Sequence, residues 1–157
     1  MKTAVIFLIV TSLLIILASS CKKGGSTPDP IIPDTTKPTI SITNPTPGQI
    51  FIPGNTITFQ AIFADEVKIS SYKIEISNLP PVGFVLKNVL LPVPWSYTKG
   101  PISFDSGIQQ KEISLSDITI PLLIGTNPVT TGKYYFKVTC VDGSNNSFSK
   151  TIEININ

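Results

Sequence analysis

The 157-residue sequence contains no histidine, and all twelve of its basic residues are lysine. Without histidine, the chain lacks the commonest general base of enzymes and the imidazole ligand of many metal sites. Ten Asp and Glu nearly balance the lysines, and the lysines form no cluster suited to a phosphate backbone. The sequence therefore predicts no enzyme, no nucleic-acid partner and no organic cofactor.

Cysteine is also scarce, with Cys21 and Cys140 alone. Before Cys21 come Lys2, an apolar run of 15 residues over 4–18 and the small residues of "ASS". The run is short for a membrane span and typical of a signal peptide. Small residues directly before a cysteine resemble the lipobox of bacterial lipoproteins, although Ala18 replaces the usual Leu. The resemblance implies a signal peptide over 1–20 and acylation of Cys21; plain secretion and an uncleaved anchor are the alternatives.

A lipid on Cys21 would place the protein in the cell envelope, with the bilayer as its first partner. We expect the outer membrane. Lys22 and Lys23 follow the cysteine, whereas surface-exported lipoproteins of this kind tend to carry acidic residues there. The lysines favour the periplasmic face over the cell surface.

The sequence changes character at Pro38. Residues 21–37 hold the cysteine and "KKGGSTPDPIIPDTTK", whose Pro, Gly, Ser and Thr predict a flexible tether. Over residues 38–157 apolar and polar residues alternate between turn motifs such as "NPTPGQ" and "DGSNN", as in strands that bury one face. This predicts an antiparallel immunoglobulin-like β-sandwich of fibronectin or cadherin type, or another all-β sandwich of different strand order. The alternation places Cys140 on a core face.

Three segments resemble those of a known family: "KPTISITNPTPGQIFIPGNTITFQAIFADEVKISSYKIEIS", "WSYTKG" and "GKYYFKVTCVDGSNNSFSKTIEI". The family is a Bacteroidetes-type lipoprotein family with an immunoglobulin-like fold and no assigned function. In that family a histidine-bearing loop after the "YKIEI" strand suggests metal binding. Here the matching segment, "SNLPPVGFVLKNVLLPVP", has no histidine. The resemblance thus implies a fold and a location and adds no activity.

Acidic residues at turns offer one candidate metal site. In an immunoglobulin-like fold, the loop after the second strand, the last hairpin loop and the incoming tether reach one pole. These segments carry Asp65 and Glu66, Asp142, and Asp34 respectively. Calcium takes six to eight oxygen ligands, and cadherin-like sandwiches use such a geometry between domains, so Ca²⁺ is the one cofactor that the sequence suggests. The competing interpretation is that these residues only form turns.

Residues 79–95, "LPPVGFVLKNVLLPVPW", combine apolar side chains with four prolines. One interpretation is that they cap the sandwich or fill its core. The other is an exposed docking patch for a protein or glycan, formed by Phe84 and Leu86, with Trp95 and Tyr97 as stacking surface. In the tether, Asp34-Thr35-Thr36 resembles a short motif for O-glycosylation of exported proteins, which would modify Thr35.

Taken together, these features predict a lipid-anchored, non-catalytic binding or assembly module of the cell envelope that carries one immunoglobulin-like domain. Its second partner would be an unidentified envelope protein. A glycan-binding surface lipoprotein and a structural envelope spacer are the alternatives that the sequence leaves open.

Overall fold

The alternating residues form an all-β domain in the computed structural model of the chain, which describes residues 32–78 and 92–157. Ten strands lie within these ranges: β1 (Thr39–Asn44), β2 (Ile50–Phe51), β3 (Thr56–Ala64), β4 (Ile69–Ser77), β5 (Ser96–Ser103), β6 (Gln110–Thr119), β7 (Leu123–Ile124), β8 (Asn127–Pro128), β9 (Gly132–Asp142) and β10 (Ser147–Ile156).

Eight of these strands build two layers. One sheet has the order β1-β3-β6 and the other β2-β10-β9-β4-β5, while β7 and β8 pair separately. Neighbouring strands are antiparallel except β2, which runs parallel to the end of β10. In one layer β3 pairs with both β1 and β6, and in the other β4, β9 and β10 lie together, as in an immunoglobulin-like sandwich. The predicted fold class is confirmed.

The core lies between the two sheets. Every second side chain of β3 and β9 is buried, because successive residues of a strand point to opposite faces. Phe59 of β3 stacks on Phe136 of β9 with ring centroids 5.5 Å apart, which joins the layers. Burying a side chain of this size stabilises the fold by roughly 1.5–3 kcal/mol. Cys140 is 0% exposed and belongs to this core.

A buried tyrosine ties the start of β9 to two loops. The hydroxyl of Tyr134 donates a hydrogen bond to the carbonyl oxygen of Thr130 at 2.7 Å and accepts one from the backbone N–H of Trp95 at 3.2 Å. A tyrosine near the start of this strand that bonds backbone a few residues upstream is the tyrosine corner of such sandwiches. The Tyr134 hydroxyl therefore satisfies two backbone groups that have no partner in the sheets.

Four segments of the chain meet at one end of the sandwich, because the strand ends next to these segments are paired with one another. Thr39 opposes Ala64, Ala64 opposes Gln110, and Ile69 opposes Asp142. We call this end the aspartate pole. It comprises four segments: residues 33–38 before β1, 65–68 between β3 and β4, 104–109 between β5 and β6, and 143–146 between β9 and β10.

Candidate functional site

Three aspartates come together at the aspartate pole. Asp34 precedes β1, Asp65 directly follows β3 and Asp142 ends β9. Each offers a carboxylate oxygen, and the three oxygens lie within 4.8 Å of one another. The residues are 31 and 77 positions apart in sequence (65 minus 34, and 142 minus 65). The sandwich topology alone brings them together.

Each aspartate also organises its own turn through one oxygen. The Oδ1 atom of Asp65 accepts hydrogen bonds from the backbone N–H groups of Val67 and Lys68, both at 2.9 Å. The Oδ1 atom of Asp34 accepts one from the N–H of Thr36 at 2.9 Å. Aspartate favours turns because its short side chain reaches the backbone two or three residues later. The local sequence therefore fixes the direction of both carboxylates.

Asp142 is the most strongly held of the three. Its Oδ1 accepts the N–H groups of Ser144 at 2.7 Å and Asn146 at 2.8 Å, and its Oδ2 accepts the side-chain amide of Asn146 at 2.8 Å. Asn145, between them, adopts a positive φ of 68°, which asparagine tolerates better than most residues. Asp142 thus maintains the β9–β10 turn regardless of any ligand.

Further hydrogen bonds join the segments that carry the aspartates. The N–H of Gly143 donates to the carbonyl oxygen of Lys68 at 3.0 Å. The side-chain amide of Asn146 donates to the carbonyl oxygen of Asp34 at 3.1 Å. A Cβ at Gly143 would meet the Lys68 side chain, whose flexible end would have to move. The two loops and the incoming segment are therefore packed against one another.

Two of the three aspartates are buried, although burying a charged group is costly. Asp65 is 9% exposed and Asp142 1% exposed. The Oδ2 atoms of Asp34 and Asp65 are buried and accept no hydrogen bond. Two unit charges 4.8 Å apart repel by about 3–4 kcal/mol at an effective dielectric constant of about 20. Such a group needs a positive partner.

No lysine supplies that partner within residues 32–78 and 92–157. The ion pairs found there are Lys73–Glu75, Lys137–Glu75, Lys133–Glu153 and Lys99–Asp117. None includes Asp34, Asp65 or Asp142, so the negative charge of the cluster is not balanced by a neighbouring ammonium group. Chemically, the arrangement is a set of hard oxygen donors suited to a cation.

Cys140 lies close to the cluster but does not belong to it. Burial, followed by the negative charges of Asp65 and Asp142, raises the pKa of its thiol to about 12. The side chain is 0% exposed, and its Sγ atom faces the carbonyl oxygen of Val141 at 3.9 Å. The thiol is a core side chain, consistent with the interpretation of Cys140 as a buried spectator.

Glu66, the fourth predicted ligand, is not part of the cluster. It is exposed, and its backbone carbonyl oxygen accepts a hydrogen bond from the side-chain amide of Gln109 at 2.7 Å. Asp65 and Glu66 are adjacent, and the tight turn that turns one carboxylate inward leaves the other facing solvent. The expectation that Glu66 joins the other three is wrong.

The structure describes two of the four residues of the predicted docking patch, and both pack against the core. Trp95 is 6% exposed, and its ring centroid lies 6.2 Å from that of Tyr134 and 6.1 Å from that of Tyr97. Trp95 is therefore a core residue and not the exposed stacking surface that the sequence suggested. Tyr97 is half-buried and packs against the same core. Phe84 and Leu86 lie outside the described residues.

The two predicted modification sites are untested by the geometry. Cys21 lies outside the described residues. Thr35 is exposed beside Asp34, a position that leaves its hydroxyl accessible, and its O-glycosylation stays a prediction. Within residues 32–78 and 92–157, no helix has the length and apolar character of a membrane span.

Sequence reasoning missed one residue of the site, Asn146. The segment "DGSNN" predicts a hairpin loop, and nothing in it says which amide turns inward. In the structure the Asn146 side chain bonds both Asp142 and Asp34. The only available signal was the density of Asp and Asn, which are frequent in turns for local reasons.

Comparisons with known proteins give a family and structural neighbours but no role. Residues 19–157 match the family described as "Domain of unknown function (DUF4625)". No curated protein sequence matches the chain. Among solved structures, the chain is similar to fibronectin(III)-like modules of Clostridium thermocellum CbhA, at 15% identity and a TM-score of 0.37, covering 76% of this chain and 46% of that one. It is also similar to a β-glucosidase from Listeria innocua, at 8% identity and a TM-score of 0.40, covering 74% of this chain and 16% of that one.

Proposed function

The chain belongs to the DUF4625 family of domains of unknown function, and we propose that it is a lipid-anchored, non-catalytic binding or assembly module of the cell envelope. The observation that carries the proposal is the order of the segments. A cysteine preceded by an apolar run and small residues is followed by a tether, and the tether leads into a single immunoglobulin-like domain. Residues 33–157 form one compact unit with its own core.

The tether sets how far the domain can reach from the anchor. Asp34 lies thirteen positions after Cys21 (34 minus 21), and a fully extended chain of that length spans at most about 45 Å. Asp34 belongs to the aspartate pole. A lipid on Cys21 would therefore keep this point of the chain within that distance of the bilayer.

A non-catalytic role agrees with the described surface charges. On the outer face of the five-stranded sheet, Glu75 binds Lys73 at 2.7 Å, and Glu153 binds Lys133 at 3.0 Å. The hydrogen bond from Lys73 lowers the pKa of Glu75, which favours the charged form of this carboxyl and makes it a poorer general base. The face presents a polar surface suited to contact with another macromolecule, as in modules that bind without reacting.

Metabolic labelling with an alkyne analogue of palmitate in a bacterial host tests the anchor. We expect the native chain to take up label and to sediment with membranes. Cys21→Ser should lose the label and become soluble, whereas the matched control Cys140→Ser should keep both properties. An unlabelled native chain in the soluble fraction would overturn the anchoring.

Cross-linking in intact cells tests the role of the module. We expect a discrete protein partner that is recovered with the native chain and lost with Cys21→Ser, since anchoring brings the two together. A glycan array that gives strong signal in the absence of any protein partner would replace the proposal by the glycan-binding alternative.

A further inference from the structure

We propose that Asp34, Asp65 and Asp142 bind one Ca²⁺, and that the ion fastens the tether to the domain. Three carboxylates from three distant segments converge with their oxygens within 4.8 Å. The proposal concerns a site inside the domain and stands independently of the lipid anchor and of any envelope partner.

The unsatisfied oxygens point to a ligand. Asp65 is more than nine-tenths buried, and its Oδ2 atom accepts no hydrogen bond, although its Oδ1 atom accepts two. The Oδ2 atom of Asp34 is buried and unpartnered in the same way. Buried polar atoms almost always find a partner. Turn formation explains the Oδ1 atoms of Asp34 and Asp65, and it leaves their buried Oδ2 atoms without a partner, which a bound cation would supply.

The donor set favours calcium over other metals. The chain has no histidine, and Cys140 is not among the converging groups, so the soft ligands that zinc and copper prefer are missing. Calcium binds oxygen at about 2.3–2.6 Å, so two of its ligands lie at most about 5.2 Å apart. The separations in the cluster fit this limit as they stand. Magnesium, at about 2.0–2.1 Å, would require all of them to be below about 4.2 Å.

The position of Asp34 gives the ion its structural consequence. Asp65 and Asp142 lie where β3 and β9 end, whereas Asp34 belongs to the tether, five positions before β1. Apart from its turn with Thr36, Asp34 is held by the bond from Asn146 to its carbonyl oxygen. A shared cation would add a stronger link at this point. It would hold Asp34 and its neighbours more firmly against the loops that carry Asp65 and Asp142.

Calorimetric titration of CaCl₂ into the chelator-treated, purified full-length chain tests the site. We expect one Ca²⁺ per chain and a melting temperature raised by about 5 °C or more once free Ca²⁺ reaches about a hundred times Kd. MgCl₂ at matched ionic strength should bind at least tenfold more weakly. The absence of both heat and a melting shift at millimolar Ca²⁺ would overturn the proposal.

Amide variants identify the ligands. Asp34→Asn and Asp65→Asn should each weaken Ca²⁺ binding at least tenfold. Asp34→Asn precedes β1 and should fold normally, so it decides the question even where Asp65→Asn does not fold. Glu66→Gln, next to a ligand, and Asp105→Asn, on the β5–β6 loop of the same pole, serve as matched controls with unchanged affinity. Equal weakening by the controls would show diffuse attraction of cations to the pole and overturn the site.

A spin label tests the link to the tether. In a Cys21→Ser background, a nitroxide on Thr35→Cys should become markedly less mobile when CaCl₂ is added, and Asp34→Asn should abolish the change. Calcium binding without any change in label mobility would leave the site standing and refute the fastening of the tether.

Discussion

The hydroxyl of Tyr134 offers a sharp test of how the sandwich satisfies its leftover backbone groups. Replacing this residue by phenylalanine keeps the buried ring and removes one oxygen. That oxygen donates to Thr130 at 2.7 Å and accepts from the N–H of Trp95 at 3.2 Å. Tyr134 is 0% exposed, so water cannot take the place of the hydroxyl without opening the core. Both backbone groups would lose their partner at once.

The magnitude follows from those two bonds. A buried group left unpaired costs about 1–3 kcal/mol, and Thr130 is only half-buried, so its carbonyl regains part of the loss from water. We expect Tyr134→Phe to lower the free energy of unfolding by about 2–3 kcal/mol. For a domain of this size, each kcal/mol shifts the melting temperature by roughly 3–5 °C, which gives a fall of roughly 6–15 °C.

Urea unfolding and differential scanning calorimetry measure the effect, and the neighbouring residue supplies the control. Tyr135 points to the outer face of the same strand and is half-exposed. Tyr135→Phe removes an identical oxygen, and its effect should stay within about 0.5 kcal/mol. If Tyr134→Phe were as mild as Tyr135→Phe, the argument that the phenol holds the two loops would fail.

Two further predictions concern a surface charge and a backbone constraint. The hydrogen bond from Lys73 lowers the pKa of Glu75 from 4.5, so its contribution is present above that pH and is lost as the pH falls through the lowered value. Glu75→Gln should therefore have a free energy of unfolding slightly below that of the native chain at pH 7, by about 0.5 kcal/mol for an exposed pair, and the difference should shrink as the pH falls below 4.5. Gly100 has a φ of +99°, and a Cβ there would lie 2.7 Å from the carbonyl oxygen of Tyr72. Gly100→Ala should be clearly more destabilising than Gly107→Ala, which has a φ of +80° but no atom within 4 Å of the added Cβ, and equal melting temperatures for the two would contradict the clash.

The alternation of apolar and polar residues predicted the long central strands but not the edge strand β5 or the very short ones. Strands β3 and β9 place apolar residues at every second position over most of their length, and β4 and β10 do so over Tyr72–Ile76 and Ile152–Ile156. Strand β5 lies at the edge of its sheet and exposes or half-exposes all eight residues, so no apolar period marks it. The two-residue strands β2, β7 and β8 are too short to show a period at all. Sheet pairing, rather than local pattern, defines them.

Burial was predicted well along strands and poorly beyond them. Phe148 has the same parity as Ile152 and Ile154, which are 7% and 0% exposed, yet it is 41% exposed. It lies near the start of β10, at the opposite end of the strand from the two residues paired with β2. For Trp95 the proline-rich context left core and exposed surface both open, and its ring is buried. Parity tells which face a residue takes, but the extent of the opposing layer decides whether that face is covered.

The aspartate pole shows which parts of a site can be predicted from topology and which cannot. In an immunoglobulin-like sandwich the loop after β3, the β9–β10 hairpin loop and the segment before β1 share one pole. This knowledge is sufficient to predict that Asp34, Asp65 and Asp142 lie together. It is not sufficient to choose between Asp65 and Glu66, which differ by one position. The choice depends on turn geometry: the shorter side chain reaches the N–H groups of Val67 and Lys68 with one oxygen and is thereby held inward. The longer one, a residue later, stays exposed. The hydrogen bonds that make Asp65 a turn former occupy only its Oδ1 atom, so turn formation and cation binding are compatible roles of a single residue.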